Sequence, residues 1–428
     1  MAGQIDLPNA SINRHVPMNS DPSLPLRGIR ILDLTSVLMG PYASQSMGDL
    51  GADVIKVESL QGDTTRQIGP GRHPDMGGIF INSNRSKRGI AVDLKTDTGR
   101  DVMLRLARAA DVFFYNIRPQ AIARLGLSYE ALRAVNPRII YAGVFGYGQE
   151  GPYAAKPAYD DVIQGAATLS SLYARGTEGR PQYAPAAIAD RITGLSAVNA
   201  ILAALLERQH SGIGQKIDIP MFETMVNFFL SDHLSGLTFE PPLDRGGYQR
   251  LLSSRRRPFR TQDGYVCAVV YTDRHWREFL GLQGRANAFD TDPRMSSLSV
   301  RTQYDEELYA EMELVFATRT TQEWLADFER VDIPALPMHD LDSVFSDPHL
   351  MAVNFFSREE HPSEGALRTM THPATWSRTQ PRATRHAPRL GEHTREVLAE
   401  GGYAEAEIDA LLASGTVFGA TGSGDTLA

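Results

Sequence analysis

The feature that most limits the fold is a repeated switch between short apolar runs and helical patterns. From Gly28 to Glu58 the chain reads IRILDL, then GPYASQSMGDLGA, then ADVIKVE. The first reads as a buried strand and the last as a second strand, and the middle one has the spacing of a short helix ending at Gly51. The rhythm continues through GIAVDL, a helix to Leu106 that Asp97 can cap, DVFFYN, a helix begun by Ser128 and stopped near Asn136-Pro137, and RIIYAGVFGYG. Such strands, alternating with helices, predict βαβ units and a mostly parallel sheet. The longest helical pattern, RITGLSAVNAILAALLERQ, follows Asp190 and closes on Ser-Gly-Ile-Gly; GQKIDIPMFETMV then gives one more strand and helix.

A chain of 428 residues exceeds one ordinary core, so two domains are expected. The texture changes near Asp232, where prolines, arginines and glycines cluster in PPLDRGGYQRLLSSRRRP before the strand-like DGYVCAVVY. The expected organisation is an N-terminal arm over 1–26, a large domain over 27–228, a small domain over 229–338, and a segment over 339–428 that returns to the large domain. The last residues, GATGSGDTLA, are of low complexity and are expected to be disordered. A net charge of −8 argues against a nucleic-acid binder, which needs a basic face to displace counterions. The single cysteine, Cys267, excludes disulfides within the chain; it reads as a small buried apolar residue in a reducing compartment. The opening residues lack a basic start followed by an apolar run, and the apolar stretch Val198 to Leu206 is too short to span a bilayer. The expectation is a cytoplasmic enzyme with no membrane partner.

Familiar catalytic signatures are missing. The eleven histidines form no HExxH or HxH, one cysteine cannot build a thiolate metal site, and neither a GxSxG elbow nor a Walker A loop occurs, so no metal site is expected. The first strand-to-helix turn reads SVLMGP where a dinucleotide site needs GxGxxG, and its bulky Leu and Met would block a pyrophosphate. What remains is polar residues at strand ends and helix starts, where open α/β sheets gather ligands. Asp190 at the start of the long helix reads either as a cap or as a carboxylate set against free amides and the positive end of the helix dipole. Tyr159-Asp160-Asp161 carries the same two readings.

Taken together, the motifs resemble the class III CoA-transferases, the family of formyl-CoA transferase and carnitine CoA-transferase, which also holds α-methylacyl-CoA racemase. The matching pieces are GIRILDLTSVLMGPYASQSMGDLGADVIKVE, GDTTR at Gly62 to Arg66, NRSKRGIAVDLK, ADVFFYNIRP, RLGLSYEALRAVNPRIIYAGVFGYGQEGPY, AYDDVIQGAA, the AD of AAIADRITG, GIGQKIDIPMFE, TQDGYV, IPALPMHDLDSVFSDPHL and APRLGEHTREVL. They keep their order from about residue 27 to about 415, nearly the whole chain.

The resemblance implies a Rossmann-like large domain with a parallel sheet, a smaller α+β domain, and a tightly interlocked homodimer whose active sites lie between the large domain of one subunit and the small domain of the other. It implies CoA transfer from an acyl-CoA to a carboxylic acid through an aspartyl mixed anhydride and an aspartyl-CoA thioester, with Asp190 as nucleophile. Coenzyme A or acyl-CoA enters as substrate, with no permanently bound cofactor. Val37 resembles an adenine- and ribose-side contact, Arg66, Lys87 and Arg124 the phosphate and nucleotide ligands, Asn116 and Ile117 the adenine or pantetheine contacts, and Tyr159 the residue beside the thioester. Leu38 stands where formyl-CoA transferase has a glutamine, which argues against a small polar oxalate-type site. YQRLLSSRRRP replaces that enzyme's glycine-rich mobile loop, and Arg255, Arg256 or Arg257 could then hold the distal carboxylate of a dicarboxylic acid, or simply face solvent. The family's usual RPG reads Arg118-Pro119-Gln120. The racemase branch has a histidine where Tyr159 stands, so a racemase or isomerase reading lacks its second base; a CoA-binding protein without turnover is the other alternative.

Overall fold

The computed structural model describes residues 24–176 and 179–420. The expected arm therefore lies outside the described residues except for its last three, of which Leu24 is buried; residues 421–428 of the tail also lie outside. The described residues form twelve strands: β1 (Arg30–Leu34), β2 (Asp53–Glu58), β3 (Lys87–Val92), β4 (Val112–Tyr115), β5 (Ile140–Phe145), β6 (Lys216–Pro220), β7 (Phe259–Arg260), β8 (Tyr265–Ala268), β9 (Ala335–Pro337), β10 (Phe356–His361), β11 (Gly365–Met370) and β12 (Val417–Phe418). Three helices are labelled below: α1 (Met39–Asp49), α2 (Asp160–Ala166) and α3 (Ile188–Ser211).

The chain forms two compact units. The larger takes in the described residues up to Ile163, Ala186–Thr224 and the described residues from Asn354; the smaller takes in Gln164–Pro185 and Met225–Val353. The small unit thus gathers a second segment ahead of α3 and runs on to Val353, beyond the expected 229–338.

In the large unit a seven-stranded sheet has the order β12-β3-β2-β1-β4-β5-β6, parallel throughout except for the antiparallel edge strand β12. Strands β3, β4 and β5 are buried at every position, which is why β4 and β5 run apolar without alternation, while β3 buries Lys87 and Arg88 as well. Chain direction around the sheet reverses between β1 and β4, so the crevice outside their carboxyl ends is the natural ligand site of this topology. Helix α3 is 24 residues long and closes on Gly212 in the left-handed conformation, φ +77. It has the length and apolarity to cross a bilayer, yet Ala197, Val198, Ile201 and Leu205 are buried inside the large unit.

The small unit has a three-stranded antiparallel sheet, β7-β8-β9, with an aromatic core of Phe259, Trp276, Phe279, Phe316, Trp324 and Phe328. Phe259 and Phe316 stack at 4.3 Å, and the Trp324 indole donates to the Phe316 carbonyl at 2.9 Å. Cys267, expected to be buried, is exposed. Side chains alternate across a strand, and Val266 takes the buried face of β8.

Candidate active site

The turn from β1 into α1 sits at the carboxyl end of the sheet beside the end of β4. Val37 has φ +69, a conformation that a β-branched residue holds only when its surroundings compel it. Asp63 Oδ1 accepts the Val37 N–H at 3.2 Å, and Asp63 Oδ2 takes the Lys56 ammonium at 2.9 Å, which also donates to the Thr35 carbonyl at 3.0 Å. From the other side, the Asn116 amide accepts the Ser36 N–H at 3.1 Å and donates to the Ser36 carbonyl at 2.9 Å. The turn is therefore fixed from both neighbouring strands. Asn116, expected as a direct contact, has its side-chain amide engaged in shaping the turn. Ile117 is half-buried against the core. Leu38 is half-buried and immediately precedes α1, which has no side-chain cap.

Asp190 is the third residue of α3, not its cap; Ala187 holds the cap position without a side-chain bond. Gly194 lies one turn further along the same face, and a side chain there would meet the Met39 carbonyl at 2.8 Å. This close approach packs the turn of α3 that follows Asp190 against the start of α1. Arg191 turns aside and stacks over the Tyr42 ring of α1 at 4.4 Å. Asp160, the first residue of α2, accepts the Asp190 N–H at 2.9 Å. Asp190 is 9% exposed; its burial, and then the negative charge of Asp160, push its carboxyl up to about 7, with Arg191 pulling weakly the other way. A buried carboxyl pushed up to about 7 in the first turn of a core helix is a candidate nucleophile or general base.

The remaining expected residues separate into two groups. Tyr159 is 70% exposed just ahead of α2, and Arg124 is exposed with no side-chain partner among the described residues. Arg66 and Lys87 correct the expectation. Arg66 is buried: it pairs with Glu58 through Nε and Nη2 at 2.7 Å, donates to the carbonyls of Asp75 and Pro388, and lies 3.7 Å over the Phe80 ring. The Lys87 ammonium gives its three protons to Asp33, the Pro41 carbonyl and Asn84 at 3.2, 3.0 and 2.8 Å. Both cations hold the fold together and have no donor left for a phosphate in this conformation. Of the arginine triplet in the small unit, Arg255 and Arg257 both pair with Glu313, at 2.6 and 3.0 Å. Arg256 is exposed and has no carboxylate partner among the described residues. The sequence does not single out two residues that shape this region: Asp63 stands within GDTTR, and Asp160 within Tyr159-Asp160-Asp161. Nothing local marks either, because their partners lie 26 and 30 residues away.

Fold and site define an α/β enzyme with a ligand crevice at the reversal of a parallel sheet and a proton-retaining carboxyl at its edge. The sequence model of CoA-transferase family III matches residues 26–394, and the chain belongs to that family; it is a CoA-transferase acting on acyl-CoA and acid substrates. It is 34% identical over 391 residues to the succinate–glutarate CoA-transferase of Agrobacterium fabrum, covering 88% of this chain and 95% of the relative. It is 30% identical over 417 residues to the formyl-CoA:oxalate CoA-transferase of an Escherichia coli strain, covering 91% and 98%. A crystal structure of a Mycobacterium tuberculosis protein superposes with a TM-score of 0.75 at 31% identity, covering 88% of this chain and 99% of that one.

Proposed function

We propose that this enzyme passes CoA from an acyl-CoA donor to a carboxylic acid acceptor, preferably a C4 or C5 dicarboxylate, through covalent intermediates on Asp190. The observation that carries the reading is the buried Asp190 carboxyl in the first turn of α3, whose next turn packs against the start of α1. An ionised Asp190 oxygen attacks the thioester carbonyl, the C–S bond breaks, and CoA leaves as thiolate with an aspartyl mixed anhydride behind it. The thiolate then attacks the Asp190 carbonyl, releasing the donor acid as carboxylate and leaving an aspartyl-CoA thioester. The acceptor carboxylate reverses the two steps, so the thioester energy is never lost to water. Val37, Ile117 and Arg124 are proposed as the CoA contacts, with Arg124 on a phosphate and Tyr159 beside the thioester.

The dicarboxylate preference is supported by the relative named for succinate and glutarate, by the apolar Leu38 at the turn, and by Arg256, whose unengaged fork suits a second carboxylate. Homodimerisation is supported by the outer face of the small unit's sheet, where Tyr265, Val269, Leu336 and Met338 stand exposed as an apolar patch of the kind that docks another chain. An exposed free thiol at Cys267 suits a reducing, cytoplasmic setting.

The test is a panel of acyl-CoA donors against mono- and dicarboxylates, with products read by mass spectrometry. The C4 and C5 dicarboxylates should exceed the matching monocarboxylates in kcat/KM, and Arg256→Met should erase the difference while sparing monocarboxylates. A ratio unchanged in Arg256→Met makes Arg256 surface charge. No CoA transfer from any donor would overturn the reaction itself.

A further inference from the structure

We infer that Asp160 is a positioning residue for this reaction: it ties down the first turn of α3 through the Asp190 N–H, and its negative charge opposes that of the Asp190 side chain, an opposition relieved when Asp190 is acylated. The geometry is specific. Asp160 opens α2 and reaches across 30 residues of sequence to bond the backbone of the very residue whose side chain reacts. The charged groups facing Asp190 are Asp160 from α2 and Arg191 from α3 itself, while α1 presents Tyr42, over which the Arg191 guanidinium is stacked. Arg191 therefore offsets Asp160 only in part, and the Asp190 carboxyl is held up near neutrality.

The consequence concerns where charge goes during transfer. In the free enzyme an ionised Asp190 sits buried beside a second carboxylate, an arrangement that disfavours its charge. When its oxygen bonds the acyl carbon, the negative charge passes to the departing CoA sulfur. When CoA then bonds the Asp190 carbonyl, the charge leaves with the donor acid. In both covalent states Asp190 is neutral and Asp160 has nothing to repel, so Asp160 favours the covalent enzyme over the free one. Given Asp190 as nucleophile, the reading on which this rests, Asp160 adds to burial in raising the pH at which the enzyme becomes competent.

The test uses Asp160→Asn, which keeps an oxygen to accept the Asp190 N–H but carries no charge. The acid limb of kcat/KM should move to lower pH by about one unit, a displacement typical of losing a neighbouring like charge. The ratio of covalent aspartyl-CoA enzyme to free enzyme, measured by intact-protein mass spectrometry above the acid limb, should fall roughly tenfold, the equilibrium equivalent of one pH unit. Asp160→Ala, which also loses the acceptor, should lower kcat further with the limb displaced the same way. Should Asp160→Asn not fold, Asp160→Ser is the same test, since its hydroxyl accepts without charge. An acid limb and covalent fraction unchanged in the neutral variant overturn the inference. Asp190→Asn separates the two claims: retained covalent enzyme in that variant would sink the nucleophile reading, whereas its loss together with an unmoved Asp160→Asn limb would sink only the role of Asp160.

Discussion

Asp33 and Asp190 are both buried in the large unit, and their surroundings treat the same side chain in opposite ways. Asp33 lies inside the sheet, in register with Lys56 on β2, and its oxygens take Lys87 at 3.2 Å, the Ser44 hydroxyl at 2.5 Å, and the N–H and hydroxyl of Thr35. Burial pushes its carboxyl up, but Lys87, Lys56 and the two hydroxyls outweigh burial and hold it below the usual aspartate range. Asp190 receives no such set of donors. Its strongest charged neighbour is Asp160, and burial and repulsion act together to raise it to about 7. The fold thus neutralises a carboxylate where it serves as structure and leaves one under tension where chemistry is proposed.

Removing the charge should expose that contrast. The largest effect expected is on turnover: Asp190→Asn should fold and transfer essentially no CoA. Yet its stability should not suffer. A raised native pKa means that the folded state holds the Asp190 proton more tightly than the unfolded chain does. Stability is therefore lost as pH rises from about 4 to about 7, and the asparagine is spared that loss. At pH 8, Asp190→Asn should melt in urea at the wild-type midpoint or above it. Asp33→Asn should do the reverse and lose roughly 3–5 kcal/mol, because it leaves the Lys87 charge buried without its carboxylate. The native pKa of Asp33 is lowered, so its contribution is intact at neutral pH and fades only as pH falls below about 4, through its depressed native value. Equal midpoints for the two variants would end the comparison.

A smaller effect separates the cations in the same way. Arg124→Ala removes an exposed guanidinium and should weaken CoA binding roughly ten- to a hundredfold, the equivalent of one charge-assisted bond of about 1.5–3 kcal/mol, with unfolding unchanged. If calorimetry shows CoA affinity unaltered in Arg124→Ala, the phosphate contact lies elsewhere.

Much of the architecture was legible because it is written in local pattern. The alternation of short strand patterns with helical ones announced a parallel sheet, Ser128 does cap the helix it opens, accepting the Ala131 N–H at 3.3 Å, and Gly212 ends α3. Near misses were also local: the helix at Asp97 is capped by Thr96, one residue earlier. Whether a charge is inside or outside was not legible. Nothing near Arg66 in the sequence shows that the chain returns 322 residues later and places the Pro388 carbonyl on it, and Lys87 enters the interior because β3 is buried along its whole length. The small unit's boundaries were missed for the same reason, since Gln164–Pro185 joins it by tertiary contact and not by any change in composition.

The central claim is that Asp190 is acylated during transfer. Wild-type enzyme incubated with an acyl-CoA donor and hydroxylamine should be inactivated in step with CoA release, and peptide mapping should find a single hydroxamate on Asp190. A hydroxamate on another carboxylate, or full transfer activity with no modified peptide, would contradict the account.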